Sequence, residues 1–182
     1  MTDATKIQIT ASEFFFLPES NQIRELLDGE IIVNPPKLPH QRSVRLALRY
    51  LETVIPSGEL WVTPTGVYFD ETNIPEPDIF WVSAENTSCV PNVDNSYLHG
   101  APDLIIEVLS PSTARNDKVT KFQLYEKHRV REYWIVDSAE LRVEVWNHDN
   151  ESFIYQGGFA VGKTFTSRVI GAEINVDKLL NG

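Results

Sequence analysis

The sequence predicts a mixed α/β (α+β) fold: a central mixed β-sheet flanked by α-helices, preceded by a short N-terminal helix and a β-hairpin. Three observations carry this. Residues 104–109 are continuously apolar except for Glu107, as in a strand buried on both faces. Val44, Leu48, Leu51 and Ile55 fall at helical spacing, and so do Val119, Phe122 and Tyr125. Asp28-Gly29 lies between two apolar runs, which is the composition of a tight hairpin turn.

The elements follow in order. Thr10 and Glu13 have capping-box spacing, so a short helix is expected over residues 13–17, stopping at Pro18. Residues 23–27 and 30–33 form the hairpin, and Pro35 and Pro36 end it. A helix over residues 40–55 ends at Pro56 and Gly58. Residues 60–63 and 66–69 read as a strand pair around Pro64, and residues 78–82 as the next strand. Residues 83–100 are polar and without period, hence a long loop. Pro111 closes the apolar strand at 104–109, and a helix is expected over 117–128. Residues 132–136 and 143–146 are strands, with 152–156 pairing to the latter across His148-Asp149-Asn150. A strand at 164–169 and a helical turn at 176–180 complete the chain.

A length of 182 residues suits one domain spanning 1–182, with residues 1–9 a loose N-terminal segment. The single cysteine, Cys89, excludes an internal disulfide and a Cys-based zinc cluster and fits a reducing compartment. No run approaches the roughly 18 apolar residues of a membrane span. Residues 1–10 lack a signal-peptide pattern, so a cytoplasmic protein without a membrane partner is expected. The net charge of −10 argues against a nucleic-acid partner, because phosphate binding draws on Lys and Arg. Its distribution argues the other way. Lys37, Arg42, Arg45 and Arg49 form one stretch free of acids. Arg115, Lys118, Lys121, Lys127, Arg129 and Arg131 outnumber Asp117 and Glu126 in another. These stretches either line one groove, with Arg42, Arg45, Arg115 and Lys118 on nucleic acid, or are solvated helix faces.

Glu107 is the most informative residue. A carboxylate inside an apolar strand costs several kcal/mol unless it is paired, hydrogen-bonded or bound to a metal. The bland alternative is a strand end that reaches solvent or meets an arginine. If the strand starting at Asp78 pairs antiparallel with that of Glu107, the two carboxylates come within reach of one divalent ion. A parallel pairing brings Asp103 beside Asp78 instead. Asp103 and Glu107 share a face but lie about 13 Å apart, and an aspartate after a proline is often only a turn residue. Lys121, on the following helix, can swing back to the carboxylates and orient a water, or be a surface charge. Ser110, Ser112 and Thr113 fit a helix cap or a phosphate contact. His40 and Glu30 are supporting candidates. Walker, GxGxxG, GxSxG and HExxH motifs are absent.

At these residues the chain resembles the Uma family of restriction endonucleases, within the PD-(D/E)XK nuclease superfamily. The resemblance is carried by PDLIIEVLSPST at 102–113, then Asp117, Lys121, Tyr125 and EYWIVD at 132–137. Upstream, ELLDGE at 25–30, Pro35-Pro36, His40 and EPDI at 76–79 follow in the same order. It spans roughly residues 10–180. It implies a restriction endonuclease-like core, acidic residues holding Mg²⁺ or Mn²⁺, and hydrolysis of DNA phosphodiesters by a metal-activated water, often as a homodimer. The implied site is Asp78 and Glu107 on the metal, Lys121 and Asp103 beside them, and His40 and Glu30 in support. Two positions depart from the pattern. Leu109 stands where the wider superfamily has its lysine, and Arg129 stands where a glycine is expected before Val130. Leu109 and the acidic charge keep open a catalytically degenerate module that binds nucleic acid or protein. A glycosidase-like carboxylate pair is a third reading, in which the helical lysine has no role.

Overall fold

The computed structural model describes residues 8–18, 22–33, 35, 37–94, 96–110 and 116–182, without the side chains of 116 and 117. Pro36, Ser112, Thr113 and Arg115 therefore lie outside the described residues, as does the side chain of Asp117. Helix α1 (Ala11–Phe15) begins directly after Thr10, whose hydroxyl accepts from the Glu13 N–H while Glu13 accepts from the Thr10 N–H. The cap thus starts the helix two residues earlier than spacing alone indicates. Strands β1 (Arg24–Leu27) and β2 (Glu30–Val33) pair antiparallel. Asp28 and Gly29 between them have φ of 49° and 76°, the left-handed pair that a two-residue hairpin requires.

Helix α2 (Leu38–Val54) carries Pro39 in its first turn, where the missing N–H is no loss, and buries Val44, Ala47 and Leu51. Strand β3 (Glu59–Val62) does not pair with β4 (Val67–Tyr68), contrary to expectation. It pairs with β5 (Ile79–Val82), and the Thr63 N–H extends that ladder to Asp78 O at 3.2 Å. Pro64 has no N–H to continue it, so the chain leaves the sheet there. Residues 83–100 are not a plain loop: β6 (Val90–Pro91) and β7 (Leu98–His99) join β4 in a small sheet of order β4-β7-β6.

Strand β8 (Leu104–Val108) is buried along its whole length. A π-helical turn (Asn116–Lys121) runs directly into α3 (Phe122–Lys127), and β9 (Glu132–Asp137) returns parallel to β8. A parallel return needs such a crossover. Strands β10 (Arg142–His148) and β11 (Phe153–Ala160) extend the sheet antiparallel. The hairpin of β12 (Thr164–Ser167) and β13 (Ala172–Asn175) follows, and α4 (Val176–Asn181) closes the fold. Strand β13 was not expected from the sequence. The large sheet has the order β11-β10-β9-β8-β5-β3.

Each face of this sheet carries a core. On one, Ile106, Val108, Trp134 and Val145 meet α2 and α4 through Leu51 and Leu179. On the other, Phe80, Ile105, Tyr133 and Ile135 meet α3 through Leu124 and Tyr125. Strand alternation then decides where Glu107 points. Ile105 faces α3, so Glu107, two residues on, faces α3 as well. No helix among the described residues is long and apolar enough to cross a membrane.

Candidate active site

The register of β5 against β8 sets Ile79 opposite Ile106. One step further along this antiparallel pair brings Asp78 beside Glu107. Val108 N–H donates to Asp78 Oδ2 at 2.8 Å, and Asp78 N–H points at Glu107 Oε2 at 3.4 Å. His40, in the first turn of α2, sets Nε2 3.1 Å from the same Asp78 Oδ2. Asp78 Oδ1 takes part in no hydrogen bond with the described residues.

Lys121 ends the π-helical turn and is buried, at 4% exposure, beside Glu107 at 2%. Its Nζ lies 3.0 Å from Glu107 Oε1 and 2.7 Å from Glu25 Oε1, on β1. Tyr125, one helical turn beyond Lys121, donates its hydroxyl to Glu107 Oε1 at 2.7 Å. Lysine and tyrosine therefore gather on one carboxylate oxygen and turn the other, Oε2, toward Asp78. Burial, then the Glu107 charge, drives the Tyr125 phenol well above its ordinary range. Glu25 Oε1 also accepts the Glu76 N–H at 2.9 Å. Burial and the Glu25 charge push the Glu76 carboxyl up to about 7 against the pull of Lys121.

The burial of Glu107 has a physical explanation in this arrangement. Its charge is offset by an ammonium and two further donors, which is what a buried carboxylate needs. Among the described residues, no group of three or more His, Cys, Asp or Glu side chains could hold a metal ion. Asp78 and Glu107 make a pair of hard oxygen donors, and such a pair suits Mg²⁺, which keeps several waters and binds through one or two carboxylates.

The other residues named from the sequence are distributed over the molecule. Asp103 is not in this cluster. It sits at the far end of β8, where Ser83 N–H, Asn86 Nδ2 and Arg131 Nη1 donate to it at 2.9, 3.0 and 2.8 Å. Burial opposes its ionisation, yet these donors hold the carboxyl below the usual carboxylate range. It is thus held as a fold-locking carboxylate, about 13 Å of strand from Glu107. Glu30 stands opposite Leu27 at the hairpin turn. Arg42 and Arg45 are exposed on α2, and Lys118 is exposed with its Nζ 3.2 Å from Glu144. Arg115 lies outside the described residues.

Glu25 and Tyr125 were not singled out by chemistry. The signal for Glu25 was available: it shares the inward face of β1 with Leu27, an acid where an apolar residue belongs. Tyr125 read as one more apolar residue on the helix face, and nothing local marks its hydroxyl as a partner of a strand carboxylate.

Comparison with known proteins supplies three likenesses. The Uma2 family, described as "Putative restriction endonuclease", matches residues 11–176. "Uncharacterized protein sll1609" of Synechocystis sp. is 31% identical over 157 residues, covering 79% of this chain and 83% of that one. A crystal structure described as "a putative nuclease belonging to DUF820 from Anabaena variabilis ATCC 29413" superposes with a TM-score of 0.75 at 22% identity. It covers 94% of this chain and 97% of that one, and at that identity the likeness is one of fold.

Proposed function

Because the chain belongs to the Uma2 family, the "Putative restriction endonuclease" family, we propose that it is a divalent-metal-dependent endonuclease acting on DNA phosphodiesters. The observation that carries this reading is the constellation at one end of the sheet: half-buried Asp78 beside buried Glu107, with Lys121 Nζ 3.0 Å from the latter. Restriction endonuclease-like nucleases use divalent metals, and Asp78 and Glu107 are the residues that would hold Mg²⁺ or Mn²⁺ here. Such an ion lowers the pKa of a water and offsets charge developing on the phosphate.

The chain's own residues have separable tasks. Tyr125 and Lys121 fix Glu107 Oε1, so the carboxylate presents Oε2 toward Asp78. The Val108 N–H and His40 fix Asp78 Oδ2, so that Oδ1 is the oxygen left to bind an ion. Lys121 keeps an ammonium at the site, available to orient the attacking water or to meet a phosphoryl oxygen. The departure at Leu109 then has an answer: the ammonium arrives from the helix rather than from β8. Glu25, by sharing Lys121, sets where that ammonium rests.

The test is direct. Purified protein is incubated with plasmid and with single-stranded DNA, with Mg²⁺ or Mn²⁺, and metal binding is followed by calorimetry. Cleavage is expected with at least one metal, falling about 10²-fold or more in Glu107→Gln. Intact DNA under every condition, together with no metal binding, overturns the proposal and leaves the binding-module reading.

A further inference from the structure

The end of the sheet opposite Lys121 has the reverse charge balance. Arg129, after α3, Arg131, before β9, and Arg168, after β12, line one concavity of about 320 Å³ with Asn147, His148 and Asn150. This gathers cations in a protein whose net charge is −10. Arg131 gives one N–H to Asp103 at 2.8 Å and keeps 61% of its side chain exposed. The guanidinium groups of Arg129 and Arg168 make no ion pair or hydrogen bond with the described residues, and both side chains are exposed. Arg129 also holds φ of 60°, a left-handed conformation that glycine adopts freely and arginine does not. That conformation ends α3: Arg129 N–H donates to Glu126 O and Val130 N–H to Tyr125 O, both at 3.0 Å, and the turn carries the side chain out to the concavity.

Asn147 closes the floor of the concavity. Asn147 is 3% exposed. Its Nδ2 donates to Gln156 Oε1 at 2.6 Å, and Gln156 Nε2 donates to Thr166 O at 3.0 Å, so the amide orientation is fixed. Asn147 Oδ1 is fully enclosed, with no donor among the described residues, so the residue shapes the floor without meeting an occupant. Guanidinium forks match a phosphate bidentately, and two of the three here are unengaged.

We infer that this concavity binds a phosphate monoester, the group that a nucleotide carries when free or at the end of a nucleic-acid strand. The inference is independent of the hydrolytic reading, because the pocket lies at the far end of β8 from Glu107 and uses none of the residues assigned to cleavage.

Binding of 5′-AMP, a 5′-phosphorylated oligonucleotide and the same oligonucleotide without its phosphate is measured calorimetrically at low salt without divalent metal. The wild-type chain, Glu107→Gln and Arg129→Gly/Arg168→Ala are compared. Glycine keeps the left-handed backbone at 129, and a charge-preserving Arg168→Lys variant guards against a folding defect. The expected result is phosphate-dependent binding, at least roughly tenfold weaker in the double variant and unchanged in Glu107→Gln. Tighter binding of the oligonucleotide than of 5′-AMP identifies a strand end, and comparable binding identifies a free nucleotide. Equal affinity for the phosphorylated and unphosphorylated strands, or full affinity in the double variant, overturns the inference.

Discussion

At the residue scale, Lys121 makes an acid in the core tolerable. Its ammonium lies within 3.0 Å of both Glu107 and Glu25. Lys121→Met keeps the volume but leaves two buried carboxylates without their shared cation. We expect a loss of about 3–5 kcal/mol in urea unfolding, the range found when one partner of a buried pair is removed. A loss below about 1 kcal/mol would mean the carboxylates protonate or reach water instead. A second residue prediction concerns acid. Burial works against ionised Asp70, but donors from Asn73, Lys127 and Thr72 outweigh it and hold the carboxyl well below its usual range. Its folded pKa is thus depressed. The stability it contributes is present above the unfolded value of about 3.8 and is lost as pH falls through the folded one. Asp70→Asn should lower the urea midpoint at pH 7, with the gap to wild type narrowing toward pH 3. Asp78, Glu107 and Lys121 were legible because each breaks a local pattern or follows a strand that does. For Glu25 the inward position on β1 was legible but its partner was not, because Lys121 is 96 residues away in sequence and no local pattern encodes such a contact.

At the element scale, strands and helices with strong internal pattern were legible, and partnerships were not. The period of Val44, Leu51 and Ile55 gave α2 without any knowledge of what it covers. By contrast β3 and β4 are adjacent and apolar, so pairing them was the natural expectation. Pro64 and the ladder from Thr63 to Asp78 send β3 to β5 instead. Strand β13 is four residues of Ala-Glu-Ile-Asn, too short and mixed to register as a strand alone. Its role emerges only with α4, where Leu179 is fully buried against the α2 side of the core. Leu179→Ala should therefore cost about 2–5 kcal/mol by thermal or urea unfolding. A cost near zero would indicate that α4 is a loosely attached tail.

For the whole molecule, the proposed substrate raises the question of how an acidic protein meets a polyanion. The second basic stretch noted in the sequence is itself divided between the two ends of the sheet, with Lys121 at one and Arg129 and Arg131 at the other. The exposed Arg42 and Arg45 lie on α2, whose first turn carries His40 to Asp78, while Arg129 and Arg131 lie toward the other end of the sheet. If α2 contributes to DNA binding, Arg42→Ala and Arg45→Ala should each weaken affinity uniformly across sequences. Each should also reduce the slope of log K against log salt by about one. Fluorescence anisotropy between 50 and 200 mM KCl reads this, and an unaltered slope in both variants removes α2 from the interface.

The hairpin that supplies Glu25 belongs to no part of the six-stranded sheet. It is tied down by the reciprocal bonds between Leu26 and Ile74, at 3.0 and 2.8 Å. A two-stranded unit of this kind opens more readily than a central strand. Each opening would release Lys121 from Glu25 while β8 stays intact, giving a loosened ion cage inside a fully folded protein. Hydrogen exchange at the Leu26 amide would reveal that breathing as a rate well above that of Ile105, and rates that match would bind hairpin and core into one cooperative unit.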